Sequence, residues 1–174
     1  MKKFAVVFML VGLCASAAFA EKAMLSQGTK EVRLGGGIDL DTFADTRLDL
    51  QAGFGYFVRD AWEVGVLGGV QHDDFVTFWD LGFFTEYNFD LGHELVPYVG
   101  AGIYFSGSDI DGQSRSEAAI WEASLGGKYF FRPEIAIFSQ LDFRFASDDI
   151  FDESNGDISD RELRIKWGIR YLFN

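Results

Sequence analysis

From position 31 almost to its last residue the chain alternates between two kinds of side chain. Eight stretches (31–40, 47–57, 62–71, 79–89, 95–105, 121–131, 135–145 and 162–173) carry apolar residues at every second position. That is the period of a β-strand whose two faces meet different surroundings, and helical periodicity is weak throughout. The charges obey the same rule. Glu31, Arg33, Asp39, Arg47, Asp49, Glu63, Asp80, Glu86, Glu122, Lys128, Asp142, Arg144, Glu162, Arg164, Lys166 and Arg170 are the sixteen acidic and basic residues of these stretches, and all sixteen fall opposite the apolar face. Seven of the strands carry a charge, so choosing the phase of each uses seven agreements and leaves nine independent ones.

The charged face is also rich in glycine, including Gly35, Gly53, Gly65, Gly82, Gly102 and Gly126, whereas the other face is built of Leu, Val, Ile, Phe, Tyr and Trp. Small residues mixed with charges suit the crowded inside of a narrow barrel, and bulky apolar side chains suit lipid. Strands of this length, tilted, reach across the hydrocarbon of a bilayer. The expected fold is therefore all-β: an eight-stranded antiparallel up-and-down transmembrane β-barrel. A soluble secreted barrel of the lipocalin kind would need the reverse polarity, with the greasy face lining a cup. It would crowd the bulky apolar residues into one small cavity, and no disulfide is available to brace it, because Cys14 is the single cysteine.

Cys14 lies in the first twenty residues, which read as two lysines, an apolar run and small residues closing on Ala18-Phe19-Ala20. This is the layout of a secretory signal peptide cleaved before Glu21. The organisation expected is a leader over 1–20 and a single barrel domain over 21–174. Without Lys2 and Lys3 the chain has 13 basic against 27 acidic residues, a net charge of −14. Such a chain does not bind nucleic acid electrostatically.

The connections alternate in length. Short ones, 58–61, 90–94 and 132–134, follow the second, fourth and sixth strands, and long ones, 107–117 and 147–160, follow the fifth and seventh. Short turns face the periplasm in such barrels, so both termini are expected there. Tyr56, Trp62, Tyr87, Phe89, Tyr129, Phe131, Tyr171 and Phe173 fall at periplasmic strand ends, and Trp79, Phe105, Trp121 and Phe145 at outer ends. Two aromatic girdles, one at each interface, are the expected result.

The ending "KWGIRYLF" resembles the C-terminal targeting signature of bacterial outer-membrane barrels, through Lys166, Gly168, Tyr171 and Phe173, with Asn174 one residue beyond the usual final aromatic. The resemblance implies recognition of this strand by the barrel-assembly machinery. The whole chain after the leader resembles the small eight-stranded outer-membrane barrels: the OmpA-type membrane domain, OmpX and the opacity-type proteins. It implies a monomer surrounded by outer-membrane lipid and lipopolysaccharide.

Sorting the charges by expected place puts nine acids and seven bases in the lumen, and thirteen acids with Arg115 alone in the outer loops. A nearly balanced lumen calls for internal ion pairs that plug it, with Glu31–Arg170 across the closing seam and Glu63 or Glu86 with Lys128 as the expected partners. The acidic loops are expected to be solvated, with divalent cations as a partner to test; "DIDG" at 109–112 lacks the later ligands of a calcium loop. His72 beside Asp73 and Asp74, His93 in a short turn, and Glu122 with Ser124 on one strand face are the nearest approaches to catalytic chemistry, and none completes a nucleophile–base pair. No catalytic, cofactor or metal residue is assigned. A non-catalytic envelope or surface-presenting barrel is the expected function. A narrow pore for small or apolar solutes, of the OmpW type, and a lipid-modifying enzyme are the alternatives.

Overall fold

A computed structural model describes residues 23–39, 48–72, 76–110, 117–148, 150–152 and 158–174. The expected leader, the side chain of Arg47 and the acids at 41, 45, 73, 74, 111, 149, 153 and 157 lie outside the described residues. Eight strands close a barrel: β1 (Lys30–Asp39), β2 (Leu48–Arg59), β3 (Trp62–His72), β4 (Val76–Asn88), β5 (Leu95–Ile110), β6 (Glu117–Arg132), β7 (Ile135–Ala146) and β10 (Arg161–Phe173). Each pairs antiparallel with its neighbours in sequence order, and β10 closes on β1 in a register that runs from Lys30↔Phe173 to Asp39↔Arg164. Two short strands, β8 (Phe151–Asp152) and β9 (Ile158–Ser159), form a small hairpin inside the connection from β7 to β10.

The alternation is realised with the polarity read from the sequence. Twelve of the sixteen strand charges are buried, from Glu31 to Arg170, while Leu34 and Leu50 stand 60 % exposed on the outer wall and Phe83 63 %. Asp80 is also inward and nearly covered; Asp39 and Asp49 occupy inward register positions. An apolar belt of this kind does not face water in a stable monomer and matches acyl chains instead. The girdle residues Tyr56, Trp62, Tyr87, Phe89, Phe131 and Tyr171 at one end, and Phe105, Trp121 and Phe145 at the other, are all exposed on that wall.

The strands differ from the sequence reading at the loop end. β5 and β6 each have 16 residues and continue past Phe105 and Trp121 to Ile110 and Glu117, so much of the expected 107–117 loop is paired strand. β4 begins at Val76, and His72 is the last residue of β3 instead of a loop residue. Ladder hydrogen bonds continue there because nothing in "SGSDI" breaks a strand; polarity alone marked it as loop.

The other end is closed by a segment with no strand pattern. Residues 23–29 cross the mouth, and Ala23 and Leu25 pack on Phe57, Val96, Phe130, Ala136 and Leu172. The amide of Met24 donates to the carbonyl of Pro133, in the turn after β6, and that of Ala61, in the turn after β2, donates to the carbonyl of Leu25. Those two turns are four strands apart around an eight-stranded ring, so the strap spans the diameter. The Asp60 carboxylate also accepts from the Gln27 amide at 2.8 Å. Ala61 pays with a left-handed backbone, φ 64°, which a residue bearing a Cβ rarely adopts.

Candidate functional site

The lumen is the candidate site, because every buried charge lies there. It is stacked in layers. Beneath the strap sits a cluster of three acids and three bases: Glu31, Glu63 and Glu86 with Arg33, Lys128 and Arg170. Glu31 touches Arg170 at 3.0 Å, Lys128 at 3.1 Å and Arg33 at 3.1 Å. Glu86 lies 2.5 Å from Lys128 and 2.9 Å from Arg170, and Glu63 lies 3.2 Å from Arg33 and 3.5 Å from Lys128. The seam pair Glu31–Arg170 and both expected partners of Lys128 are therefore present. Arg33, which the sequence reading left unpaired, joins all three acids, with Glu86 at 3.6 Å.

Aromatic side chains hold these cations from the side. The Arg170 guanidinium lies 4.7 Å from the Tyr98 ring centre and 4.4 Å from that of Phe138, and Arg33 lies 3.8 Å from Phe84. Such stacking adds attraction where water is excluded. Phe57, Phe84, Tyr98, Tyr104, Phe130 and Phe138 are all inside and buried, so the interior is not the glycine-and-charge mixture read from the sequence. The glycines are what makes room for the rings. A Cβ on Gly126 would stand 2.5 Å from the Tyr98 ring, and one on Gly102 would stand 2.7 Å from that of Tyr104. The missed signal is in the phase itself: each of these rings lies opposite the apolar, outward phase of its strand.

A second ionic cluster fills the loop end. Glu162 is gripped by Arg144 at 2.6 Å and Arg164 at 2.7 Å, and Lys166 lies 2.8 Å from Asp142 and 3.0 Å from Glu122. A hydrogen-bonded chain joins the two clusters. Arg170 donates to the Tyr98 hydroxyl at 2.8 Å, Tyr98 donates to the Gln140 carbonyl oxygen at 2.7 Å, and the Gln140 amide donates to Asp142 at 2.7 Å. Above them Phe151, carried by the β8–β9 hairpin, enters the mouth beside Leu67, Phe84, Tyr104 and Ile120, with Arg144 5.2 Å from its ring. Between the clusters a void of about 10 Å³ is left, lined by Arg33, Gln51, Leu67, Phe138, Gln140 and Lys166 among others. One water molecule needs roughly that much space.

Of the residues that came nearest to catalytic chemistry, the described ones have other roles. Glu122 accepts from Tyr104 at 3.0 Å and pairs with Lys166. His93 is exposed in the turn after β4, and Asp73 and Asp74 lie outside the described residues.

No protein-family model matches the chain, and no curated protein matches it. Solved structures do. The N-terminal β-barrel domain of OprF from Pseudomonas aeruginosa is similar at a TM-score of 0.65 and 21 % identity, over 84 % of this chain and 98 % of that one. The chain has the fold of the small eight-stranded outer-membrane β-barrels. Neisserial surface protein A is similar at a TM-score of 0.58 and 15 % identity, over 83 % of this chain and 95 % of that one. So is a transmembrane β-barrel designed de novo, at 0.54 and 20 %, over 85 % of this chain and 98 % of that one. A designed barrel matches about as well as the natural ones, so the likeness speaks of architecture and leaves role to the lumen and the loops.

Proposed function

We propose that this chain is a non-catalytic structural protein of the bacterial outer membrane, with a shut lumen and acidic hairpins presented to the medium. One observation carries the reading. The ionic core is covered at both mouths, by Leu25 and its strap at one end and by Phe151 at the other, with a one-water void between the clusters. A wall of this kind stiffens an envelope, and the ion pairs among the described residues occupy the centre of the barrel where a path would run. The filled lumen weighs for this reading over a narrow pore. The absence of a nucleophile–base pair among the described residues weighs for it over a lipid-modifying enzyme.

Orientation belongs to the same reading. Turns at 60–61, 89–94 and 133–134 share the strap's end, and the two longest connections, 40–47 and 147–160, share the other with 73–75 and 111–116. Short turns in the periplasm then place Ala23 and Asn174 there, and put the extended β5–β6 hairpin outside. Lipid and lipopolysaccharide surround the wall, and the assembly machinery reads the β10 ending.

Planar bilayers holding the purified protein test the claim. The expected record is a flat baseline under applied voltage, with no unitary steps in alkali-metal chloride. Steady currents that scale with the amount of protein inserted support the pore instead.

A further inference from the structure

The two clusters differ in their charge balance. The one under the strap has as many bases as acids, but the one at the loop end sets four described carboxylates, Asp80, Glu122, Asp142 and Glu162, against Arg144, Arg164 and Lys166. Asp80 is the carboxylate left short. Its nearest cation is Arg144, whose Nη2 lies 3.7 Å from Oδ2 while its Nη1 is engaged with Glu162 at 2.6 Å. The Asp80 side chain is 8 % exposed, and its Oδ1 is buried with no hydrogen-bond partner. An ionised group withdrawn from water this far needs compensation.

The surroundings of Oδ1 supply oxygen and space. Gln51, Gly69, Asp80 and Ser106 sit directly opposite one another on β2, β3, β4 and β5, and all are on the inward phase. Gly69 is the gap in that row. A Cβ there would lie 2.6 Å from Asp80 Oδ1 and 3.1 Å from the Gln51 Cγ, so both side chains lean over the glycine from opposite sides. Gln51 is also buried, at 8 % exposure, and neither it nor Ser106 has a side-chain hydrogen bond among the described residues. Ser106 follows Asp80 at cross-strand distance. A carboxylate oxygen without a hydrogen bond, beside a glycine notch flanked by Gln51 and in register with the Ser106 hydroxyl, offers the oxygen chemistry that a hard cation takes.

We propose that the Gln51–Gly69–Asp80–Ser106 row holds a hard metal cation at the loop end of the lumen, with Asp80 supplying the charge. Sodium, a hard cation that takes oxygen ligands, is the first probe. Calcium shares the oxygen preference and is the natural second probe. The cation supplies the positive charge that Arg144, engaged with Glu162, does not bring close to Asp80.

The test is melting of the detergent-folded protein, read by tryptophan fluorescence, in sodium chloride, calcium chloride and choline chloride at matched ionic strength. Sodium or calcium is expected to raise the apparent midpoint by about 2–4 °C over choline. Asp80→Asn keeps the shape of the side chain and is expected to erase that difference. Gly69→Ala, which fills the notch, should erase it as well and reads the same if Asp80→Asn fails to fold. Equal midpoints in all three salts overturn the proposal. A calcium shift that persists in both variants belongs to the acidic loops and overturns it too. The wild-type comparison of sodium with choline stands without any variant.

Discussion

Two clusters of buried charge share one lumen and are finished differently. At the strap end each of the three acids touches at least two bases within 3.6 Å, and an apolar lid closes over them. At the loop end Asp80 has one distant partner, and the cover is a single ring on a hairpin of two-residue strands. Alternation puts charges inside in both places; what differs is whether their partners arrive from the opposite wall. Arg33, Lys128 and Arg170 come from β1, β6 and β10 and meet acids of β1, β3 and β4 across the barrel. The lesson is that inward charge is a demand set by the strand pattern, and that a full set of cross-barrel partners, a lid or a bound ion are separate ways to meet it.

The largest effect should come from Arg170. Arg170→Leu leaves three acids facing two bases in a covered site, and is expected to cost about 3–5 kcal/mol in urea unfolding from lipid vesicles. Adding Glu86→Gln to that variant should recover part of the loss, because the deficit of positive charge is then removed; no recovery would break the claim that balance decides. Next comes the lid. Leu25→Asp should cost about 1–3 kcal/mol, since the strap loses its apolar anchor and is freed from the turns at Ala61 and Pro133. Phe151→Ala at the opposite mouth should cost less, about 1–2 kcal/mol, because its hairpin rests on the barrel without bridging it. If Phe151→Ala proves the costlier, the contrast between the two covers is wrong. Asp80→Asn in choline chloride should be the mildest, within about 0.5 kcal/mol of wild type, as befits a carboxylate that has no good partner there.

Much of this was legible in the sequence, and the parts that were not have physical reasons. Sixteen charges in one phase reported the inward face, since a side chain's face follows from parity alone. Parity also hinted at Glu31–Arg170, because the first and last strands must meet to close a barrel. The same logic was silent on residues 23–29, whose capping role depends on turn geometry and not on any period. Arg33 as a hub was hidden because its three carboxylates lie on β1, β3 and β4, and strand tilt decides which levels coincide. Phe84, Tyr98 and Phe138 stood in plain view opposite the lipid-facing phase, but a tally of charges and glycines passes over rings. Ile150 and Phe151, two apolar residues inside an acidic stretch, were the one cue that the long connection folds back.

The polarity of the wall is the central claim, and the four tryptophans report it. Trp62, Trp121 and Trp167 are exposed on the outer face and Trp79 shares its phase. In vesicles whose acyl chains carry bromine, the account predicts strong quenching of tryptophan emission and little effect of aqueous iodide. Emission untouched by the brominated chains but quenched by iodide, or held in a lipid-free monomer, would contradict it.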